Sequence, residues 1–351
     1  MVAEPIDPLR DLSRPGVVRP IPVDPTGEHG PTRAQARSSR WRRSSQGLYV
    51  RTGEYPDQVA QRIVEAAAVL PTFSAVTGWA ALHWAGADYF DGRTADGRPL
   101  DVPLAVPNHA VRPRAGLAIT AERLAPRDLI SIDGLPLTRH VRSVSFAMRS
   151  VRGLVAAVRV LDMAMAADLI SLQEMRTYVT DELSGWTGVE RLRTAVACGD
   201  ENSWSPMESE MRVLWASHLR IPTLVSNHPV FDRAGRFVAT PDLLDVEAGL
   251  FGEYDGDVHL DRERRSRDIE REAALRRLGL EGVTMMATDR RDVRPYLQRV
   301  REARSRARFL PPEQRAWTIE PPPWWTPTVT VDQRRALEDW QKERFLRRKA
   351  G

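Results

Sequence analysis

Cysteine is all but missing from this chain: Cys198 is the single example in 351 residues. A lone thiol excludes a disulfide framework and points to a reducing, cytoplasmic setting. No apolar run approaches the roughly 20 residues that a bilayer-crossing helix needs, so no membrane association is expected. The first residues are mixed in charge and proline-rich, without the apolar heart of a secretory signal. There is no glycine-rich phosphate loop, no Cys/His spacing of a zinc site and no nucleophile elbow, and there is no internal repeat. Those absences remove the commonest nucleotide-binding, zinc-finger and serine-hydrolase readings.

Lysine is scarce too: nearly all of the 51 basic residues are Arg, set against 47 acidic ones for a net charge of +4. So small an excess says little about partners, and the distribution matters more. Arg is the side chain best suited to bidentate phosphate contact, although Arg richness also accompanies a GC-rich coding sequence. Hydrophobic content of 42% is ordinary for a globular protein, and the length suffices for two domains with a tail.

Residues 1–31 are rich in Pro and Gly without apolar periodicity, and are expected to be disordered or loosely attached. Residues 32–51 gather Arg33, Arg37, Arg40, Arg42 and Arg43 around Trp41, then close on Gly47-Leu-Tyr-Val50. Regular patterning begins at Pro56. Val59, Ile63, Val64 and Ala67 fit one helix, and a second carries Trp79, Leu82 and Trp84. Strands follow over 100–106 and 116–120, then a hairpin over 129–137 around Asp133-Gly134. Four helices are expected over 141–151, 154–167, 172–183 and 189–197. His83, lying among Trp79, Leu82 and Trp84, reads as a packing residue rather than a catalyst.

The richest stretch is 205–288. Ser205 with Glu208 three residues on forms a capping box, with Pro206 at the first helical position. Met207, Met211, Leu214 and Trp215 carry that helix to about Arg220, before Pro222. Strands are expected over 223–231, 237–246 and 250–255, with a turn at Asp232–Gly235. A charged helix over 261–278 stops at Gly279, and a short apolar strand covers 282–288. The order is αβββαβ.

Asp242 falls in the second of these strands, and Glu253 and Asp255 point to one face of the third. Carboxylates gathered on one face repel unless a cation joins them, and hard oxygen ligands suit Mg²⁺ or Mn²⁺. Such an ion polarises a phosphoryl oxygen and lowers the pKa of a bound water. Glu208 reads either as a helix cap or as a further member of the set, and the two roles are compatible. Asp245 and Glu247 read as solvated. Asp255-Gly256 also fits a turn, and His259 also fits a cap of the next helix.

These residues resemble a known family. Pro241-Asp242, then Glu253-Tyr254-Asp255-Gly256 and His259, look like the restriction-endonuclease-like PD-(D/E)xK fold. Within it they are most similar to proteins resembling very-short-patch-repair endonucleases. The resemblance spans roughly 201–305. It implies Glu208, Asp242 and Glu253 as ligands of Mg²⁺ or Mn²⁺, Asp255 at the third motif position and His259 near the scissile phosphate. The motif usually has Lys where this chain has Asp255, and repair endonucleases of the similar group lack that Lys as well. Arg262, Arg264, Arg265 and Arg267 on the following helix are candidate contacts to DNA phosphates.

The preceding segment is similar to AbiEi antitoxins of type IV toxin–antitoxin systems. The likeness rests on Ser74 and Gly78-Trp79-Ala80-Ala81-Leu82-His83, on the segment from Leu137 to Ser145, and on the basic run ending in Gly47-Leu-Tyr-Val50, which resembles the wing of a winged helix. A cognate toxin or a homodimer is the partner this implies.

The expected fold class is α+β. Residues 1–55 form a basic segment with a winged-helix remnant, 56–200 a mixed helix/strand antitoxin-like domain, and 201–307 the αβββαβ domain. Residues 308–351 form a tail, in which Trp324 and Trp325 pack back onto a domain and a terminal helix covers 331–349. Two functions fit: a metal-dependent DNA endonuclease, or a DNA-binding regulator or antitoxin whose nuclease-like domain does not cut.

Overall fold

The structure, a computed structural model, describes residues 7–53, 55, 57–94, 96–107, 111–183, 186, 188–256 and 262–346, the side chains of 262–268 excepted. It is of the α+β class and divides into two compact units, 1–150 and 151–351. The expected domain boundary after residue 200 therefore lies inside the second unit, because the helices before it pack there. No helix among the described residues is long and apolar enough to cross a membrane.

The first unit opens with β1 (Ile21–Pro22), β2 (Trp41–Ser45) and β3 (Leu48–Arg51), ordered β1-β3-β2. Then come α1 (Gln58–Ala67), β4 (Ala75–Val76), α2 (Gly78–Trp84), β5 (Val102–Ala105), β6 (Leu117–Thr120), β7 (Leu129–Ile132), β8 (Leu135–Thr138) and α3 (His140–Ser150). Strands β4 to β8 form one mixed sheet, ordered β6-β5-β4-β8-β7.

The segment before residue 31, expected to be loose, is tied down. Leu9 is buried in the same core as Ile63, Trp84, Leu104 and Leu137. The Ser13 amide donates to the Asp133 carbonyl at 3.0 Å, and the Arg14 guanidinium lies 3.7 Å over the Trp84 ring. One apolar anchor and two polar ones hold a segment that has no periodicity to announce it. The basic run after it ends in the β2/β3 hairpin, and Arg42 pairs with Glu65 of α1. His83 is mostly buried in α2, its Nε2 3.6 Å from Asp57 Oδ2.

The second unit begins with α4 (Leu154–Ala166), α5 (Leu172–Asp181) and α6 (Val189–Ala197), close to the expected spans, then α7 (Pro206–His218). Next are β9 (Leu224–Ser226), β10 (Val230–Asp232), β11 (Phe237–Ala239), β12 (Leu243–Asp245), β13 (Leu250–Asp255), α8 (Arg262–Arg277), β14 (Glu281–Met286) and α9 (Arg294–Arg306). The chain closes with β15 (Trp317–Thr318), α10 (Val331–Arg335) and α11 (Asp339–Leu346), so two short helices stand where one long terminal helix was expected.

Two of the expected long strands are each divided. Asn227 takes a left-handed backbone (φ 47°), a conformation that Asn tolerates, and Pro229 cannot donate to a ladder. The chain therefore leaves β9 and starts a separate sheet, ordered β11-β10-β15. Pro241 breaks the second strand in the same way, between β11 and β12. What remains is a central sheet ordered β14-β13-β12-β9. Strands β9, β12 and β13 run antiparallel, and β14 returns parallel to β13 through α8. The αβββαβ order survives, with β10 and β11 as an excursion.

The two faces of the central sheet are covered differently. Leu243, Leu250, Val283 and Met285 share a core with Met211 and Trp215 of α7 and with Tyr296 and Val300 of α9. Leu244 and Phe251 meet Leu275 of α8 and Trp317 of β15 on the other face. Gly252 lets α7 approach, since a Cβ there would stand 3.0 Å from the Trp215 ring. Asp245, expected to be solvated, is fully buried: it accepts from Thr223 Oγ1 at 2.9 Å and pairs with Arg304 of α9 at 2.9 Å. Burying that charge is tolerable because both partners are charged or polar. Glu247 is exposed.

Candidate active site

The candidate site forms where α7 begins and β12 and β13 meet. Ser205 caps α7, its Oγ accepting from the Glu208 amide at 3.2 Å. The Glu208 carboxylate turns back and accepts from the Trp204 amide (2.7 Å) and from Asn227 Nδ2 (2.5 Å). The expected capping box is therefore half formed: Ser205 caps Glu208, while the Glu208 carboxylate takes the Trp204 amide in place of that of Ser205.

Asn227 is itself fixed. Its side chain also donates to the Asn202 carbonyl at 2.8 Å, and Asn202 Nδ2 donates to the Ser226 and Asn227 carbonyls at 2.8 and 3.0 Å. The Asn227 amide donates to the Asp242 carbonyl at 3.2 Å. One reciprocal amide network thus locks the helix start to the strand that carries Asp242.

Asp242 lies at a bend directly before β12, half-buried. Its Oδ2 accepts from the Tyr254 amide at 2.7 Å. The β12/β13 register pairs Leu243 with Gly252, so one step further Asp242 stands opposite Glu253. Residues opposite one another in an antiparallel pair present neighbouring side chains on one face. Glu253 Oε2 meets Arg271 Nη2 of α8 at 2.9 Å. Asp255 follows two residues on, exposed at the end of β13.

The Glu208 carboxyl is also shifted by its surroundings. Burial pushes the Glu208 carboxyl up to about 7, and the negative charge of Asp242 adds to the shift, against the opposing hydrogen bonds from Trp204 and Asn227. Two like charges held this way relax when one takes a proton or when a cation binds between them. The donors are all oxygen, as a hard divalent ion requires, so the Glu208–Asp242 pair fits Mg²⁺ or Mn²⁺. The third expected ligand, Glu253, is engaged by Arg271 instead. Among the described residues no group of three or more His, Cys, Asp or Glu is gathered as a metal cage. His228, beside Asn227, is half-buried, and burial lowers its pKa.

His259 lies outside the described residues, as do the side chains of Arg262, Arg264, Arg265 and Arg267. Sequence reasoning passed over Asn202, Asn227 and Arg271. Nothing local distinguishes those two asparagines from turn residues, and Arg271 is one of many arginines on α8. Compared with protein-family models, with curated proteins and with solved structures, the chain matches none, so its chemistry rests on the geometry above.

Proposed function

We propose that the second unit is a metal-dependent DNA endonuclease domain of the PD-(D/E)xK kind, hydrolysing phosphodiester bonds. The observation that carries this reading is the position of Asp242 opposite Glu253 across the β12/β13 pair, with Asn227 joining the Glu208 carboxylate to the Asp242 backbone. Such a constellation is costly in isolation and becomes favourable beside a divalent cation. Bound Mg²⁺ or Mn²⁺ supplies charge neutralisation and Lewis acidity at a phosphoryl oxygen.

The chain's own residues then have defined tasks. Asp242, oriented by the Tyr254 amide, and Glu208, oriented by Trp204 and Asn227, would hold the ion. Glu253 would join them if Arg271 exchanged its carboxylate for a phosphate oxygen, a contact that suits the guanidinium fork. Arg271 would thereby bring a positive charge to the reacting phosphate, the service that the motif Lys gives in active nucleases of the resembled fold. The arginines of α8 add backbone contacts that weaken with salt and carry little sequence information.

A second reading, a DNA-binding regulator that does not cut, is favoured by one observation: the Arg271–Glu253 ion pair already satisfies the carboxylate that the metal needs. Supercoiled plasmid incubated with Mg²⁺ or Mn²⁺ separates the two. Nicking by the wild type that disappears in both Asp242→Ala and Glu253→Ala supports the nuclease. Nicking that survives in both variants removes the assigned site, and metal-independent binding without nicking establishes the regulator.

A further inference from the structure

The small sheet β1-β3-β2 of the first unit has two unlike faces. On one, Arg42 stands opposite Val50. Val50 is fully buried and Arg42 pairs with Glu65 of α1, so this face turns inward. The other face carries Trp41 opposite Arg51 and Arg43 opposite Tyr49. Residues two apart on a strand share a face, as do cross-strand partners, which sets these four side chains together. The register shift in β2 comes after Arg43 and leaves both pairs intact. Arg43 and Arg51 are exposed, while Trp41 and Tyr49 are half-buried. Among the described residues neither ring is packed against the core around Leu9 and Trp84. The Arg51 guanidinium lies over the Trp41 ring, 5.7 Å from its centroid.

The charge around this face indicates what it takes. Residues 29–53 contain Arg33, Arg37, Arg40, Arg42, Arg43 and Arg51 and no Asp or Glu. Among the described residues Arg42 alone of these has an ion-pair partner. Arg33, Arg37 and Arg40 are exposed on the approach to β2, Arg37 in a short 3₁₀ turn (Gln35–Arg37). Positive charge so concentrated and so little neutralised attracts a polyanion. Exposed rings alone do not single out a face: in the second unit Trp325 packs on Phe231 and Phe237, as expected from the sequence, and Trp324 stays 61% exposed, but the nearby Arg236 is matched by Asp232. On the first sheet the rings alternate with arginines that have no acidic partner. That alternation matches a polyanion in which flat bases alternate with phosphates.

We propose that the outer face of this sheet binds single-stranded nucleic acid, with Arg43 and Arg51 at its phosphates and Trp41 and Tyr49 against its bases. An unpaired strand offers base faces that a duplex keeps stacked inside, so the rings add affinity for the single strand and carry little sequence preference. The site belongs to the first unit and needs neither a metal nor cutting. It therefore goes beyond the nuclease reading and is measured with EDTA present.

The test is fluorescence anisotropy of the full chain with a labelled single strand of roughly 20 thymidylates, long enough for a complete site, and with a duplex of equal length, each over a series of salt concentrations. Arg43→Ser and Arg51→Ser should each lower the slope of log affinity against log salt by about 0.7, the value for one phosphate contact on a single strand. Trp41→Ala and Tyr49→Ala should weaken single-strand binding by roughly 5- to 150-fold and leave duplex affinity unchanged. Trp41→Phe and Tyr49→Phe, which keep a ring in place, should recover most of the loss. Thermal melts show whether each variant folds. The two arginine variants alter only exposed side chains, so they keep the test decisive where an alanine variant unfolds. Absence of single-strand binding by the wild type overturns the proposal, as does an unchanged salt slope in both arginine variants or an equal loss for the duplex in the alanine variants. Displacement of the labelled strand by polyglutamate as effectively as by unlabelled thymidylate assigns the face to an acidic protein and overturns it too.

Discussion

The Tyr254 amide donates to Asp242 Oδ2 at 2.7 Å, across the start of the β12/β13 ladder. That bond replaces the next ladder rung with a side chain, because Asp242 sits at a bend just before β12. It fixes the carboxylate against β13, opposite Glu253.

Glu208 makes stability depend on pH. Its folded pKa, about 7, lies above the ordinary 4.5. Its contribution is thus fully present below about pH 4.5 and is lost as pH rises through 7, amounting to about 3 kcal/mol. Asp162, pushed up to about 6 by burial despite its Arg212 partner, acts in the same sense at lower pH. Glu208→Gln keeps an acceptor for Trp204 and Asn227 but cannot ionise. Thermal melts at pH 5 and pH 8 should show a smaller loss in this variant than in the wild type; equal losses would refute the assignment.

Ion binding should be visible without any substrate. At pH 8, Mg²⁺ at about 100 times its Kd adds about 2.7 kcal/mol to folding. The melting temperature of the wild type is expected to rise with Mg²⁺, and that of Asp242→Asn to stay flat. A rise of equal size in both proteins places the ion elsewhere.

Arg271 competes with the ion for Glu253. Removing its charge frees the carboxylate, so Arg271→Met should bind Mn²⁺ more tightly, by roughly tenfold if about 1.4 kcal/mol of competition is relieved. Isothermal titration reads this directly, and weaker or unchanged binding contradicts the competition.

Arg334 anchors the C-terminal helices. It is fully buried, pairing with Asp168 at 2.6 Å and donating to the carbonyls of Met165, Thr328 and Val329. Nearby, Glu201 accepts from the first-turn amides of both α5 and α10, through Leu172 and Val331, each at 2.6 Å. Arg334→Ala leaves several carbonyls and a carboxylate unmatched. Urea denaturation should show a loss of about 3–5 kcal/mol; a loss under about 1 kcal/mol would mean that the segment is held by other contacts.

Gly134 holds the N-terminal segment. Its φ is +77°, and a Cβ there would lie 2.0 Å from the Asp11 carbonyl oxygen. Gly134→Ala should expel residues around Asp11 and expose them to limited proteolysis, while Gly97→Ala, with open space around it, should not. Equal cleavage in the two variants would count against the close approach.

Much of this protein is determined by the sequence alone. The helix from Pro206, strand β13, helix α9 and the αβββαβ order follow from caps, periodicity and the punctuation of Pro and Gly, all of which act over a few residues. That Glu253 and Asp255 share one face follows from strand parity, whereas the β12/β13 register sets Asp242 opposite Glu253. Tertiary structure alone decided the rest. It broke two strands at Asn227 and Pro241 so that β10 could pair with distant β15, and it buried Asp245 against Arg304 and Leu9 in the core of the β4–β8 sheet. It also chose Arg271, among many arginines, to face Glu253. Local propensity cannot reach those outcomes, because each is set by which distant surface is available to satisfy a charge or cover an apolar side chain.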